Sequence, residues 1–164
     1  MLIILEGVDG SGKTTLANEL SNTYNIPIVK FSYPKTKKDK TQMFYNYIKL
    51  MYENNFNLIL DRSWVSELVY GDIMRNECVL NDMEIGILNY LVNIHKGTLI
   101  YCDIGKIQSF NSAKKRGEDY VTNFKTHYFL YEKYDEMLST LDIKRKVTYN
   151  YMKGGLYENK IDKI

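Results

Sequence analysis

Several residue types that would staple, interrupt or anchor a chain are scarce here. Cys78 and Cys102 are the only cysteines and have no C-x-x-C spacing. That excludes a disulfide framework and a redox pair, and it suits a reducing, cytoplasmic compartment. His95 and His127, the only histidines, have no Cys, His or carboxylate partner at ligand spacing, so they read as structural or exposed. Neither charge dominates: 22 basic residues face 20 acidic ones, a net +2, which gives no reason to expect nucleic acid as a partner. No apolar run approaches the length of a membrane span, so no membrane association is expected. The first strand begins at once, which leaves no room for a leader peptide. There is no internal repeat and no low-complexity linker. At 164 residues the chain 1–164 is expected to form a single domain that buries roughly two-thirds of its surface.

Against these absences stands Gly7-Val8-Asp9-Gly10-Ser11-Gly12-Lys13-Thr14. It fits the phosphate-loop pattern G-x-x-x-x-G-K-[ST] without a mismatch. The apolar run Leu2–Leu5 precedes it as a buried strand, and a helix pattern follows. Glycines let the backbone curl so that several N–H groups point into one anion site. The helix N-terminus adds positive partial charge. Gly7, Gly10, Ser11, Gly12, Lys13, Thr14 and Thr15 are therefore the expected ATP-binding residues. Lys13 is the one to reach the β- and γ-phosphates, and Thr14 the one to ligate Mg²⁺.

Along the chain, periodicity predicts a helix from Thr14 to Tyr24 and a strand over Ile28–Phe31. A basic loop over Lys35–Lys40 and a helix over Thr41–Glu53 follow. Phe56–Asp61 reads as the third strand, ending in a carboxylate. Ser63 caps a helix running to Arg75, and Asn81 with Glu84 opens another as a capping box. Thr98–Asp103 is the fourth strand, Lys106–Lys115 a helix, Tyr120–Leu138 a long helix, and Lys146–Asn150 the fifth strand. Strands alternating with helices imply an α/β, three-layer architecture around a parallel sheet. Ligands of such sheets sit beyond the carboxyl ends of the strands, where the loop, Lys30, Asp61-Arg62 and Asp103 all fall.

Asp61 at that edge can hold the hydration shell of Mg²⁺ or orient a nucleophile. Arg62 presents a planar fork suited to a second phosphate. Lys30, Phe31, Tyr33, Lys35, Lys37, Lys38 and Lys40 mix aromatic faces with cations, and Lys30 or Lys35 is the expected phosphate contact. Lys114-Lys115-Arg116-Gly117-Glu118-Asp119 ends a helix in a charged loop that can serve as a lid over 114–120. Asn159-Lys160-Ile161-Asp162 matches a guanine-reading N-K-x-D pattern, but it lies at the end of the sequence without a strand and helix to hold it, and we read it as coincidence.

These segments resemble the thymidylate kinase family of nucleoside monophosphate kinases. Leu5–Thr15 is similar to that family's phosphate loop, including its internal acid Asp9. Asp61-Arg62-Ser63-Trp64-Val65-Ser66-Glu67-Leu68-Val69-Tyr70 resembles its D-R-Y-x-x-S-x-x-x-Y, with Ser63 in place of the first tyrosine. Tyr101–Ile104 and Lys115–Asp119 are similar to the strand before the lid and to the lid itself. The resemblance implies a P-loop kinase fold with a five-stranded parallel sheet and a short lid, often in a homodimer. It implies γ-phosphoryl transfer from MgATP to a deoxynucleoside monophosphate, most simply dTMP. It assigns Lys13, Arg62, Arg116 and Asp9 to catalysis. Acceptor contacts fall to Asp9 (the sugar 3′-hydroxyl), Lys30 or Lys35, Phe31 (the base), Arg62 (the phosphate), Ser66 and Tyr70 (the deoxyribose). Thr14 and Asp61 go to the metal, and Lys114, Lys115 or Arg116 to transition-state charge. The segment Tyr52–Asn57 lacks the arginine that reads the base in that family, and Tyr120 replaces its second lid arginine. The small size resembles a viral or phage member.

Two alternatives compete with this reading. A deoxynucleoside kinase, acting on the 5′-hydroxyl, has a related fold and a similar Arg-Ser pair. An ATP-dependent nucleic-acid-binding module would use the basic loop for salt-dependent affinity.

Overall fold

The computed structural model describes residues 1–31, 37–117 and 123–158. Its sheet has the order β2-β3-β1-β4-β5-β6. β1 (Leu2–Glu6), β2 (Ile28–Lys30), β3 (Leu58–Asp61), β4 (Thr98–Cys102) and β5 (Lys146–Asn150) run parallel. β6 (Gly155–Glu158) is antiparallel to β5 and has no counterpart in the sequence reading. Its cause is local. The Asn150 side chain accepts hydrogen bonds from the Met152 and Lys153 amides, and Gly154 at φ 85° reverses the chain, a turn that glycine makes without a Cβ clash.

The central strands β1, β3 and β4 are largely apolar because both faces are covered. Side chains alternate between the two. Leu2, Ile4, Leu58, Leu60, Leu99 and Tyr101 face one way. There they meet α2 (Lys37–Glu53), α3 (Trp64–Tyr70), α4 (Asp82–Ile94) and α6 (Phe124–Thr140). Ile3, Leu5, Ile59, Ile100 and Cys102 face the other way, onto Leu16 and Ala17 of α1 (Lys13–Tyr24). Trp64 is fully buried, and its indole N–H donates to Asn89 Oδ1 at 3.0 Å, pinning α3 to α4. α4 opens with the expected capping box, and its buried residues include Leu88, Leu91 and Val92, whereas Ile94 lies half exposed.

Four of the boundaries that differ from the periodicity do so for a visible reason. α2 begins at Lys37, so the expected basic loop is in part helix, with Asp39 in its first turn to complement the dipole. β3 begins at Leu58 because Asn55 and Phe56 take left-handed φ of 49° and 53°, and Phe56 stacks on His95 instead, at 3.4 Å between centroids. The helix after Ser63 ends at Tyr70 and widens into a π-turn over Gly71–Arg75. A Cβ at Gly71 would lie 2.6 Å from the Glu77 carbonyl, so the returning chain packs against that glycine. α6 starts at Phe124, where the Asn123 side chain caps the Thr126 amide at 2.9 Å. Lys35, Glu118, Asp119, Tyr120 and the N-K-x-D segment lie outside the described residues.

Candidate active site

The registers Leu5↔Asp61, Lys30↔Asp61 and Glu6↔Tyr101 bring the carboxyl ends of β1, β2, β3 and β4 to one edge. The winding reverses across β1, which β3 and β4 flank, and the crevice opens there. A cleft of about 560 Å³ fills it, with Gly10, Gly12, Lys13 and Thr14 on one wall and Lys30, Phe31, Arg62 and Tyr70 on the other.

The loop wall is shaped by backbone. Gly10 has φ 83°, and a Cβ there would lie 2.0 Å from the Ser109 carbonyl. α5 (Lys106–Arg116) therefore lies directly against the loop, and Ser109 is steadied in turn by His127 Nε2 at 2.8 Å. Gly12, at φ 93°, precedes α1 with no side-chain cap, leaving the first-turn amides of the helix to an anion. Lys13 is buried and donates to the Val8 carbonyl at 2.7 Å. Burial, and then the nearby Arg62 charge, lower its pKa to about 8. Gly7 and Ser11 are buried beneath the loop and line neither cleft.

Thr14 Oγ1 donates to Asp61 Oδ2 at 3.2 Å, and Asp61, only 2% exposed, has no hydrogen-bond partner for its Oδ1 among the described residues. A buried anionic oxygen beside a hydroxyl is a hard donor set, so these two residues fit Mg²⁺.

The opposite wall is built by side chains. Arg62 follows β3 with a left-handed φ of 73°. Its guanidinium pairs with Asp9 rather than with the neighbouring Asp61. It also donates to Ser66 Oγ at 3.3 Å and lies 4.9 Å from the Tyr70 ring centre. Tyr70 donates to Asp9 Oδ2 at 3.3 Å, and burial, opposed by Arg62, pushes its hydroxyl well above the usual range. So Asp9, Arg62, Ser66 and Tyr70, assigned separately to the acceptor, form one cluster. Phe31 packs against Tyr47 at 4.1 Å between centroids, and both rings line the cleft with Met43. Arg116 reaches this cleft as well. Thr15, Lys115 and Arg116 line a second one of about 430 Å³, but Lys114 lines neither.

Three groups of residues escaped sequence reasoning. Tyr149 and Tyr151 line the second cleft with Gly12 and Glu19, placed there by the turn that launches β6. Glu67 and Arg75, paired at 2.6 Å, form part of the cleft wall. They are eight residues apart, and only the π-turn folds one back onto the other. Glu6 is fully buried beneath Ser63 and Ser66. It lay unremarked within Leu5–Thr15, and no spacing rule marked it.

No family model matches the sequence. A stretch of 73 residues is 40% identical to a predicted thymidylate kinase of Acidianus bottle-shaped virus, covering 43% of this chain and 47% of that protein. The match thus spans under half the length of the viral relative. The SPbeta prophage-derived uncharacterized protein YorR of Bacillus subtilis is 28% identical over 163 residues, 99% of this chain and 94% of that one. The crystal structure of YorR in complex with phosphorylated GDP superposes with a TM-score of 0.79 at 26% identity, covering 93% of this chain and 87% of that one. Deoxyadenosine kinase from M. mycoides with bound dATP superposes at 0.64 and 17% identity, over 93% and 92% of the two chains; that likeness speaks to the fold alone. The sheet order, the loop and the cleft define a P-loop fold of the nucleoside and nucleotide kinase type. Within it, 73 residues of this chain are similar to a thymidylate kinase.

Proposed function

We propose that the protein transfers the γ-phosphoryl group of ATP to the 5′-phosphate of a deoxynucleoside monophosphate, with dTMP the first candidate. The observation that carries this reading is the Asp9–Arg62–Ser66–Tyr70 cluster, which faces the phosphate loop across one cleft. Lys30 stands on the same wall. An acceptor site with two cations suits a substrate that already carries phosphate. The loop amides and Lys13 hold the ATP phosphates. Arg62 exchanges Asp9 for the acceptor phosphate, leaving the Asp9 carboxylate for the sugar 3′-hydroxyl. Tyr70 lies against the deoxyribose, and Arg116 meets charge that develops during transfer. Thr14 and Asp61 hold Mg²⁺, which when bound neutralises the phosphate oxygens.

The second reading, a deoxynucleoside kinase, draws on the deoxyadenosine kinase fold. A panel of deoxynucleosides and their monophosphates incubated with MgATP decides between them. Because YorR was solved with phosphorylated GDP, the panel includes guanine nucleotides. Absence of ADP with every monophosphate overturns the first reading, and turnover of thymidine but not dTMP establishes the second.

We infer a homodimer that forms through α4. Met83, Ile87, Tyr90 and Ile94 form one exposed stripe, and from Ile85 to Ile94 the helix carries no charge. Gly86 sits within that stripe, and a Cβ there would meet nothing. An antiparallel second copy would lay Tyr90 over the Gly86 notch, so the stripe is complementary to itself. Light scattering should give a dimer that Tyr90→Asp splits; a wild-type monomer at tens of micromolar would remove the assignment.

A further inference from the structure

We propose that Glu6 is the positioning residue of the acceptor arginine: its carboxylate fixes the turn that carries Arg62 and orients the Ser66 hydroxyl that holds the guanidinium. The inference rests on Arg62 as acceptor clamp and extends that reading to a residue that touches no substrate.

Glu6 closes β1 just before the phosphate loop, with 0% of its surface exposed. A buried carboxylate normally has a cation beside it. Here the hydrogen bonds come from uncharged donors. Oε1 accepts from the Ser63 amide and the Ser63 hydroxyl, both at 2.7 Å, and from the Ser66 amide at 3.3 Å. Oε2 accepts from the Ser66 hydroxyl at 2.6 Å and the Tyr134 hydroxyl at 3.0 Å. All five contacts aim an N–H or O–H at the carboxylate.

Two consequences reach Arg62. The first runs through the backbone. Arg62 sits in the left-handed region, which favours glycine and which an arginine occupies only when its neighbours hold it there. The Arg62 amide donates to the Leu5 carbonyl at 3.0 Å, and the next amide, Ser63, donates to Glu6. Two successive residues of the turn are thus tied to two successive residues of β1. The second runs through Ser66. A hydroxyl has one proton. Ser66 gives it to Glu6 at the shorter distance, so its lone pairs remain to accept from Arg62 Nη1 at 3.3 Å. Exchanging one carboxylate oxygen for an amide N–H₂ would press a donor against Ser66 and Tyr134, both of which now donate, and at least one would have to turn round.

Glu6→Gln keeps the shape and removes the second acceptor. We expect it to raise the acceptor KM about 10-fold and lower kcat by a similar factor, leaving the ATP KM within about twofold. In an Arg62→Ala background the same change should have no further effect on the acceptor KM, because the residue it positions is gone. A penalty of equal size in that background, or an equal rise in the ATP KM, overturns the proposal and makes Glu6 a general core residue. Ser66→Ala serves if Glu6→Gln does not fold: it should show the same acceptor-only defect and the same loss of effect beside Arg62→Ala. A crystal structure of either variant gives a readout independent of turnover, with the Arg62 guanidinium displaced from Asp9 by more than 1 Å; an unmoved guanidinium overturns the proposal. If no monophosphate is a substrate for the wild type, the proposed function falls, while the displaced or unmoved guanidinium still decides the role of Glu6.

Discussion

The two walls of the cleft are held by different forces. The donor wall is a backbone object: Gly10 lies flat on α5, Gly12 opens α1, and Lys13 bonds a carbonyl of its own loop. The acceptor wall is a side-chain object. Glu6, Ser63, Ser66, Tyr134, Arg62, Asp9 and Tyr70 are joined through carboxylates and hydroxyls drawn from β1, the loop, α3 and α6. A backbone cradle is generic and binds phosphate wherever it occurs. A side-chain network can be re-aimed by one substitution, so on the proposed function choice of acceptor is written there. The walls meet at Asp9, a residue of the phosphate loop whose carboxylate belongs to the acceptor cluster.

The comparison predicts that changes to the donor wall abolish function whatever the acceptor, whereas changes to the acceptor wall split the two substrates. Lys13→Ala should cost the most, on the order of 10³-fold or more in kcat; near-normal turnover would mean that the loop does not hold the transferred phosphate. Gly10→Ala comes next. A methyl 2.0 Å from the Ser109 carbonyl forces α5 off the loop, so nucleotide affinity by calorimetry should drop by about 10²-fold, with a lower melting temperature. Arg62→Ala should cost about 10²-fold in kcat/KM for the acceptor while ATP binding stays within a few-fold. If ATP affinity alone changed, Arg62 would belong to the donor wall.

The smallest effect is titrimetric. The Lys13 pKa, lowered to about 8 by burial and by Arg62, lies below the ordinary lysine value, so the unfolded chain holds this proton more tightly than the folded one. Charged Lys13 therefore costs stability below pH 8, and the cost is relieved as pH rises toward 10.5. Measured by urea unfolding without nucleotide, the wild type should gain on Lys13→Met by at most about 3 kcal/mol across that window. A flat difference would mean that Lys13 is not desolvated.

Much of the fold was legible because strands buried on both faces are apolar without interruption, and because caps such as Ser63 and Asn81 act on their own helices. Boundaries were missed where a distant group decides them. Phe56 leaves the strand for the ring of His95, and the helix after Ser63 widens where Glu77 returns against Gly71. The site divides in the same way. The loop, Asp61 and Arg62 announced themselves through motif and position. Arg75, Tyr149 and Tyr151 did not, because nothing local to them signals which cavity they will line.

By itself the sequence determined the phosphate cradle and the parallel α/β frame around it. Both follow from interactions between near neighbours: glycine torsions, a helix terminus, apolar periodicity. Only the tertiary structure decided the acceptor wall. It pairs Arg62 with Asp9 rather than with Asp61, and it buries Glu6 beneath Ser63 and Ser66, the second of which bonds Arg62. The contacts of Asp9 and Glu6 join residues more than 50 positions apart. Hydrogen bonds at that separation depend on which strands become neighbours in the sheet, and the order β3-β1-β4 exists only once the chain has folded.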